Sequence, residues 1–411
     1  MNTTTPATTP AHASAPVAAL PASLIREVAN SAIGRDDVLA FWFGEPASVT
    51  PTPIRDAACR SIEAGDTFYS PNLGLASLRD AIAGYSSSLR ARPASIAAGR
   101  IAVTSSGVSA LMLAVQSLIA PGDRVVVVTP VWPNLPAMPA IMGARIERVA
   151  LSIDVHSRRW RLDLERLLAA LTPDTRLLIV NSPGNPTGWM MTAEEIAIVL
   201  AHCRAHGTWI LSDESYERLA FGRAAAPSFL DASEAGDALV VANTFSKSWQ
   251  MTGWRLGWLT APTTLIPSIE KLIEFNTSCA PVFVQKAGLA AIAMGEAPIR
   301  AFAQAVEVGT QALVASLRAL PEVELVEPEG AMYCLLRVRG FDDSLAFAKR
   351  LVREAGLGLA PGVAFGNECE GWLRWCTARP PAQLIEGVER LERFLARAAA
   401  PAVCAGRGGP A

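Results

Sequence analysis

The chain predicts an α/β fold: a mostly parallel sheet of seven strands covered by helices, followed by a smaller α+β portion. Three observations carry that expectation. Short apolar runs recur between about residues 101 and 260, most of them without polar alternation, which marks strands covered on both faces. Helical stretches lie between them, the alternation that builds a parallel sheet. Past about residue 296 the order changes, and long helical patterns surround a few short strands.

Residues 1–22 are rich in Thr, Ala and Pro. They lack the basic and long apolar stretches of a signal peptide and read as a disordered tail. Residues 38–46 read as a short extended segment ended by Gly44 and Pro46. Residues 56–64 and 75–89 predict helices. Strands are expected at 101–104, 124–129, 145–151, 177–180, 209–211, 239–242 and 255–260. Between the first two, residues 109–120 predict an apolar helix, ended by Pro121, Gly122 and Asp123. Residues 193–205 predict another, with Thr192 as N-cap and Glu195 completing a capping box. Farther on, helices are expected at 301–317, 344–354 and 381–398, and strands near 323–325, 332–336 and 372–376.

A chain of 411 residues is too long for one simple core. No stretch approaches the roughly 18 uninterrupted apolar residues of a membrane helix. The net charge is -2, with Lys and Arg scattered, which speaks against a nucleic-acid footprint. The seven cysteines are dispersed and never spaced Cys-x-x-Cys, so a reduced, cytoplasmic chain is expected. His202 and His206 share a helix face without a third ligand, and no metal is expected there.

The chemistry concentrates between Asn243 and Trp258. Lys247 is surrounded by Thr244, Ser246 and Ser248, and Arg255 follows. A lysine amine can form an imine with an aldehyde. Hydroxyls and a guanidinium can hold a phosphate. Pyridoxal 5'-phosphate (PLP) has both groups. The run Ser246-Lys247, an aromatic, then Gly253-x-Arg255-x-Gly257 resembles the fold-type I PLP enzymes. Within them it is similar to the class I/II aminotransferases, including the aspartate and aromatic enzymes.

Other runs extend the resemblance over about residues 24–398. Asn181-Ser-Pro-Gly-Asn-Pro-Thr-Gly188 is a rigid Pro/Gly loop. In the family it presents Asn185 to the cofactor's ring hydroxyl and the substrate carboxylate. Asp213 ends a strand, where ligands meet such sheets. There it would keep a pyridine nitrogen protonated, with Tyr216 donating to the ring oxygen. Ser106, Gly107 and Val108 occupy the family's phosphate turn, where backbone amides and a helix dipole suit an anion. Trp132 falls at the stacking position, although an aromatic at a strand end also suits a core. Arg374 matches the arginine that grips the substrate α-carboxylate with paired bonds, and Gly44 matches a position near the substrate. Tyr69 matches the tyrosine that reaches the neighbouring subunit's phosphate, which implies a homodimer.

The resemblance implies an aminotransferase with ping-pong chemistry through a Lys247 aldimine, moving an amino group from an L-amino acid to a 2-oxo acid. It implies a segment 23–60 that joins the second domain, a large PLP-binding domain at 61–296, a small domain at 297–398 and a tail at 399–411. The same residues serve C–S or aminocyclopropane-carboxylate-type lyases. A regulatory domain that senses PLP is the alternative of another class, and the simple tail ahead of the fold speaks against it. Val108 replaces the lysine that some aspartate-specific relatives use for a distal carboxylate. Phe41, Trp42, Phe43 and Trp132 offer apolar surface instead, Phe41 and Trp42 fitting a core equally well. Neutral or aromatic donors are therefore expected to exceed aspartate.

Overall fold

The computed structural model describes residues 13–90 and 95–399. Most of the expected N-terminal tail, and nearly all of the C-terminal one, lies outside the described residues. Ala15–Ala18 forms one helical turn with no buried residue.

Seven strands build the large sheet. They are β1 (Ile101–Thr104), β2 (Arg124–Thr129), β3 (Arg145–Ala150), β4 (Thr175–Asn181), β5 (Trp209–Asp213), β6 (Leu239–Thr244) and β7 (Gly257–Thr260). Their order is β1-β7-β6-β5-β4-β2-β3, with only β7 antiparallel to its neighbours. Continuous apolar runs form these strands because both faces are buried. Val103, Val126, Leu178, Ile210 and Val241 fill one core, while Ala102, Val125, Ile179, Leu211 and Val240 fill the other. Burying each large aliphatic side chain contributes about 1.5–3 kcal/mol.

The ends of the elements show where local backbone chemistry overrode the apolar pattern. The helix Gly107–Leu118 starts two residues earlier than expected, because the Ser106 hydroxyl accepts from Ser109 N at 3.0 Å and caps it. The helix Ala193–His206 has both halves of its capping box and ends on left-handed Gly207. β7 starts at Gly257, not at residue 255, because Arg255 has a left-handed φ of 54° and Thr252–Trp254 forms a 3-10 turn. Helices at Asn134–Ile141, Leu164–Ala170, Ile266–Glu274 and Val282–Ala293 had no counterpart in the expectation. In the first of these, Pro136 and Pro139 hide the helical signal.

A second sheet follows: β8 (Val323–Val326), β9 (Tyr333–Val338), β10 (Ala360–Pro361) and β11 (Trp372–Cys376), antiparallel in the order β8-β9-β11-β10. Leu313 and Leu317 of Glu296–Arg318, Phe347 and Leu351 of Ser344–Ala355, and Leu384 and Leu391 of Pro381–Ala399 cover it. Ile25, Val28, Phe41 and Trp42 join this core, so the segment ahead of the large sheet packs on the second one. Phe41 lies 5.0 Å from the Trp375 ring, which settles it as a core residue. The two sheets are tied through the Pro/Gly loop. Gly188 O accepts from Glu329 N at 2.9 Å and from Gly330 N at 3.0 Å. A Cβ on Gly188 would fall 2.3 Å from the Pro328 Cβ, so this contact needs glycine. No single helix among the described residues is long and apolar enough to cross a membrane.

Candidate active site

The carboxyl ends of β5 and β6 and the start of the helix after β1 open into one cavity of about 520 Å³. Open α/β sheets take their ligands at this end. Gly107, Val108, Trp132, Asn185, Asp213, Tyr216, Thr244, Ser246, Lys247, Arg255, Gly44 and Arg374 all line it. Residues more than three hundred positions apart thus converge. Two expected residues stand elsewhere. Ser106 lies behind the wall, where its hydroxyl caps the helix. Tyr69 is 88% exposed on the surface of the chain.

The turn after β1 is held tightly. Ser106 has a φ of 136°, a region rare for residues other than glycine, and such strain gathers at functional sites. A Cβ on Gly257 would lie 2.5 Å from Gly107 N, so the second glycine of the Gly-x-Arg-x-Gly run lets β7 approach the helix start. Beside it, Thr244 Oγ1 donates to Ser246 Oγ at 2.9 Å and accepts from Ser246 N at 3.1 Å. Arg255 donates to Thr252 O at 2.7 Å and reaches the same wall. Amides, hydroxyls and a guanidinium thus gather where an anion would lie.

Deeper in, Asp213 ends β5 almost fully buried. Its Oδ1 accepts from Ser215 N at 3.1 Å and Ser215 Oγ at 2.6 Å. Burial raises its pKa, opposed by the Ser215 bonds and the Lys247 charge. Asn181, opposite Asp213 on β4, donates to Asp213 O at 3.0 Å and accepts from Asn185 N at 2.8 Å. Asn181 therefore fixes both the strand end and the loop that carries Asn185.

Lys247 enters from the turn after β6, and its amine donates to Gly44 O at 2.5 Å. Burial pulls its pKa down to about 8. An amine so placed is partly uncharged near neutral pH, which a nucleophile or general base requires.

The opposite wall comes from the second sheet. Arg374 on β11 is buried between the rings of Tyr333, at 4.4 Å, and Phe365, at 4.8 Å. It donates to Asn185 Oδ1 at 2.9 Å and to Trp42 O. Its Nε is buried without a hydrogen-bond partner among the described residues, a donor still to be satisfied. Trp42 and Phe43, facing Val108, Leu111 and Trp132 of the large-sheet side, give the cavity its apolar part.

Tyr333 and Arg26 are cavity residues that had no part in the sequence expectation. Tyr333 reads in sequence as one apolar residue of a strand, and nothing local distinguishes it. Its hydroxyl meets the Tyr216 hydroxyl at 2.6 Å. Arg26 lies on an N-terminal helix, 5.6 Å from the Phe43 ring centroid, with no ion pair among the described residues. His202 and His206, set aside as ligands, bond the carbonyls of Leu171 and His202 at 2.9 Å each.

This fold sets Lys247, Asp213 and Arg374 in one cavity at the end of a parallel sheet. The family profile of aminotransferase class I and II matches residues 37–391. A probable N-acetyl-LL-diaminopimelate aminotransferase of Bacillus subtilis is 31% identical over 90% of this chain and 92% of its own length. An aspartate aminotransferase of Geobacillus stearothermophilus is 32% identical over 87% of this chain and 91% of its own. The structure of the Thermotoga maritima aspartate aminotransferase superposes with a TM-score of 0.86 at 30% identity, covering 93% of this chain and 100% of that one. The chain belongs to the class I and II aminotransferase family and has the fold-type I architecture. It is an aminotransferase, acting on amino and 2-oxo acids.

Proposed function

We propose that this chain transfers an amino group by ping-pong chemistry with PLP held at Lys247, and that its best donors have neutral or aromatic side chains. The observation that carries the reading is the enclosed Lys247 amine, pulled down to about 8, in one cavity with Asp213 and Arg374. The donor set fits the cofactor. Gly107, Thr244, Ser246 and Arg255 would hold the phosphate, Asp213 the ring nitrogen, Tyr216 and Asn185 the ring oxygen, and Trp132 the ring face. The partnerless Nε of Arg374 suits a carboxylate.

When bound there, PLP supplies an aldehyde that condenses with amines and a ring that accepts electrons. The protein supplies positions and protons. Asp213 keeps the ring nitrogen protonated. Arg374 and Asn185 orient the substrate's α-carboxylate. Lys247 Nζ would take the proton from the substrate Cα and hand it back on the far side of the amino nitrogen, at the carbon that had been the aldehyde. Borohydride treatment of the native protein should fix the cofactor on the peptide that contains Lys247. Label on another lysine, or none, refutes the assignment. A screen of amino acids in single half-reactions then identifies the donor. Pyruvate and ammonia formed without an oxo-acid acceptor would mark elimination instead.

The working unit we propose is a cytoplasmic homodimer with shared sites. Phe68, Tyr69 and Phe275 are each more than 80% exposed. Asn72 bonds Glu274 at 2.5 Å, which draws their two segments together. Exposed aromatics so grouped favour an interface. The free cysteines among the described residues suit a reducing compartment. A core on each face of the large sheet and another on the second sheet support a large domain at 61–296 and a small one at 297–398 joined by segment 23–60. Mixing Tyr69→Ala and Lys247→Ala variants should restore activity if sites are shared, and no recovery refutes the shared site.

A further inference from the structure

Tyr216 and Tyr333 form a pair that the chemistry above uses only in part. Both phenols are buried, and their hydroxyls meet at 2.6 Å. No other partner of either hydroxyl is found among the described residues. One of the two protons therefore lies between the oxygens, and the other is free to point away. Which tyrosine donates decides where the free proton goes.

Three features favour Tyr333 as the donor. The Arg374 guanidinium lies over its ring at 4.4 Å, and a cation there makes a phenol release its proton more readily. The Tyr333 hydroxyl is also pressed against Gly44: a Cβ on that glycine would lie 1.9 Å from Tyr333 Oη. Among the described residues, a Tyr333 proton turned away from Tyr216 finds no acceptor. Both tyrosines line the cavity, but Tyr216 is the one beside Lys247, whose amine is 5.5 Å from its ring centroid. Asp213 and Cys376 are the other titratable groups beside the pair. Neither hydrogen-bonds to the two hydroxyls among the described residues.

We infer that Tyr333 is a positioning residue for Tyr216: its hydroxyl donates to the Tyr216 hydroxyl and leaves the Tyr216 proton aimed into the cavity, at the ring oxygen of PLP. This rests on the PLP reading above. Tyr333 acts through Tyr216 and links it to Arg374, the residue that senses the substrate carboxylate. The arrangement also accounts for glycine at position 44, since any side chain there would displace the Tyr333 hydroxyl.

The consequence is measurable without turnover. A proton donated by Tyr216 to the ring oxygen competes with the proton on the lysine–cofactor link for that same oxygen. Weaker donation lets the link keep its proton to higher pH. The test is a pH titration of the visible absorbance of the native protein, without substrate. Tyr333→Phe should raise the midpoint by roughly 0.5–1 pH unit, the scale of one hydrogen bond. Tyr216→Phe should raise it further. The double variant should match Tyr216→Phe alone, because Tyr333 has no other route to the cofactor. An unmoved midpoint in Tyr333→Phe would mean that Tyr333 only packs beneath Arg374, and overturns the inference. So does a double variant whose shifts add. Tyr333→Leu, which also lacks the hydroxyl, must shift the midpoint in the same direction and serves if Tyr333→Phe does not fold. If the native protein binds no PLP, the reading beneath falls and the inference with it. If it binds PLP and the Tyr333 variants titrate like the native protein, only the inference falls.

Discussion

The two walls of the cavity are built differently. The wall from the large sheet is assembled from strand ends and the turns that follow them: Gly107, Asp213, Thr244, Ser246 and Lys247 each stand within a few residues of a strand. The wall from the second sheet and the N-terminal segment is assembled from distant pieces. Trp42, Tyr333 and Arg374 meet only because β9 and β11 pair and Phe41 packs on Trp375. The first wall suits a cofactor that is always the same. The second suits substrates that vary, because its parts can change without disturbing the strand ends. Asn185 joins the two, since it stands on a loop of the first wall and accepts from Arg374 of the second.

Substitutions in the two walls should therefore fail differently. If Asp213 holds the ring nitrogen as proposed, Asp213→Asn should lower kcat by about 10²–10³-fold with KM little changed. Arg374→Lys removes a paired grip, so kcat/KM for the donor should fall by about 10²-fold while the cofactor absorbance remains. If both variants lose the cofactor equally, the walls are not separate in function.

The next effect concerns the first wall alone. The Lys247 amine is pulled from its ordinary value down to about 8. Only its uncharged form attacks an aldehyde. The rate at which cofactor-free protein takes up PLP should rise up to tenfold per pH unit and level off near pH 8. A rise continuing to pH 10 would show an ordinary, solvated lysine.

A smaller effect lies beneath that wall. Glu214 follows Asp213, accepts from Ser212 Oγ at 2.9 Å, and has a second oxygen buried without a partner. Burial pushes its pKa up to about 7. The folded protein thus holds this proton more tightly than the unfolded chain does. The stability it contributes is complete below the ordinary carboxylate range and is lost as pH rises through about 7. Glu214→Gln should raise Tm by a few degrees at pH 8 and much less at pH 5. An equal change at both values would mean that the carboxyl does not titrate there.

The smallest effect is expected at the mouth of the second wall. Arg26 lies over Phe43 and contributes the one lining cation with no role in the scheme above. If apolar surface sets donor choice, kcat/KM for phenylalanine, leucine or methionine exceeds that for aspartate. Arg26→Ala should then leave the ratio within about twofold. A clear preference for aspartate that Arg26→Ala abolishes would overturn the apolar reading of the wall and leave the aminotransferase assignment intact.

The amino-acid sequence by itself determined the first wall. The apolar runs of β1 to β6 were legible because a strand buried on both faces has no polar positions to interrupt it. Lys247, Asp213 and Asn185 each stand in a local run that resembles a family motif, and all three line one cavity. Local backbone geometry was less legible: the left-handed Arg255 moved the start of β7, and two prolines concealed a helix. Of the second wall the family resemblance named Arg374 and Gly44, and only the tertiary structure added Tyr333 and Arg26. Nothing near Tyr333 in the chain marks it as more than a strand residue, and Arg26 is a surface arginine on an amphipathic helix until Phe43 is brought beneath it. Phe41 and Trp42 read alike in sequence, yet Phe41 packs inward on Trp375 while Trp42 reaches the cavity. The physical reason is the range of the interaction. Strand and loop signals act between near neighbours, whereas the Tyr216–Tyr333 pair and the Asn185–Arg374 bond join residues 117 and 189 positions apart.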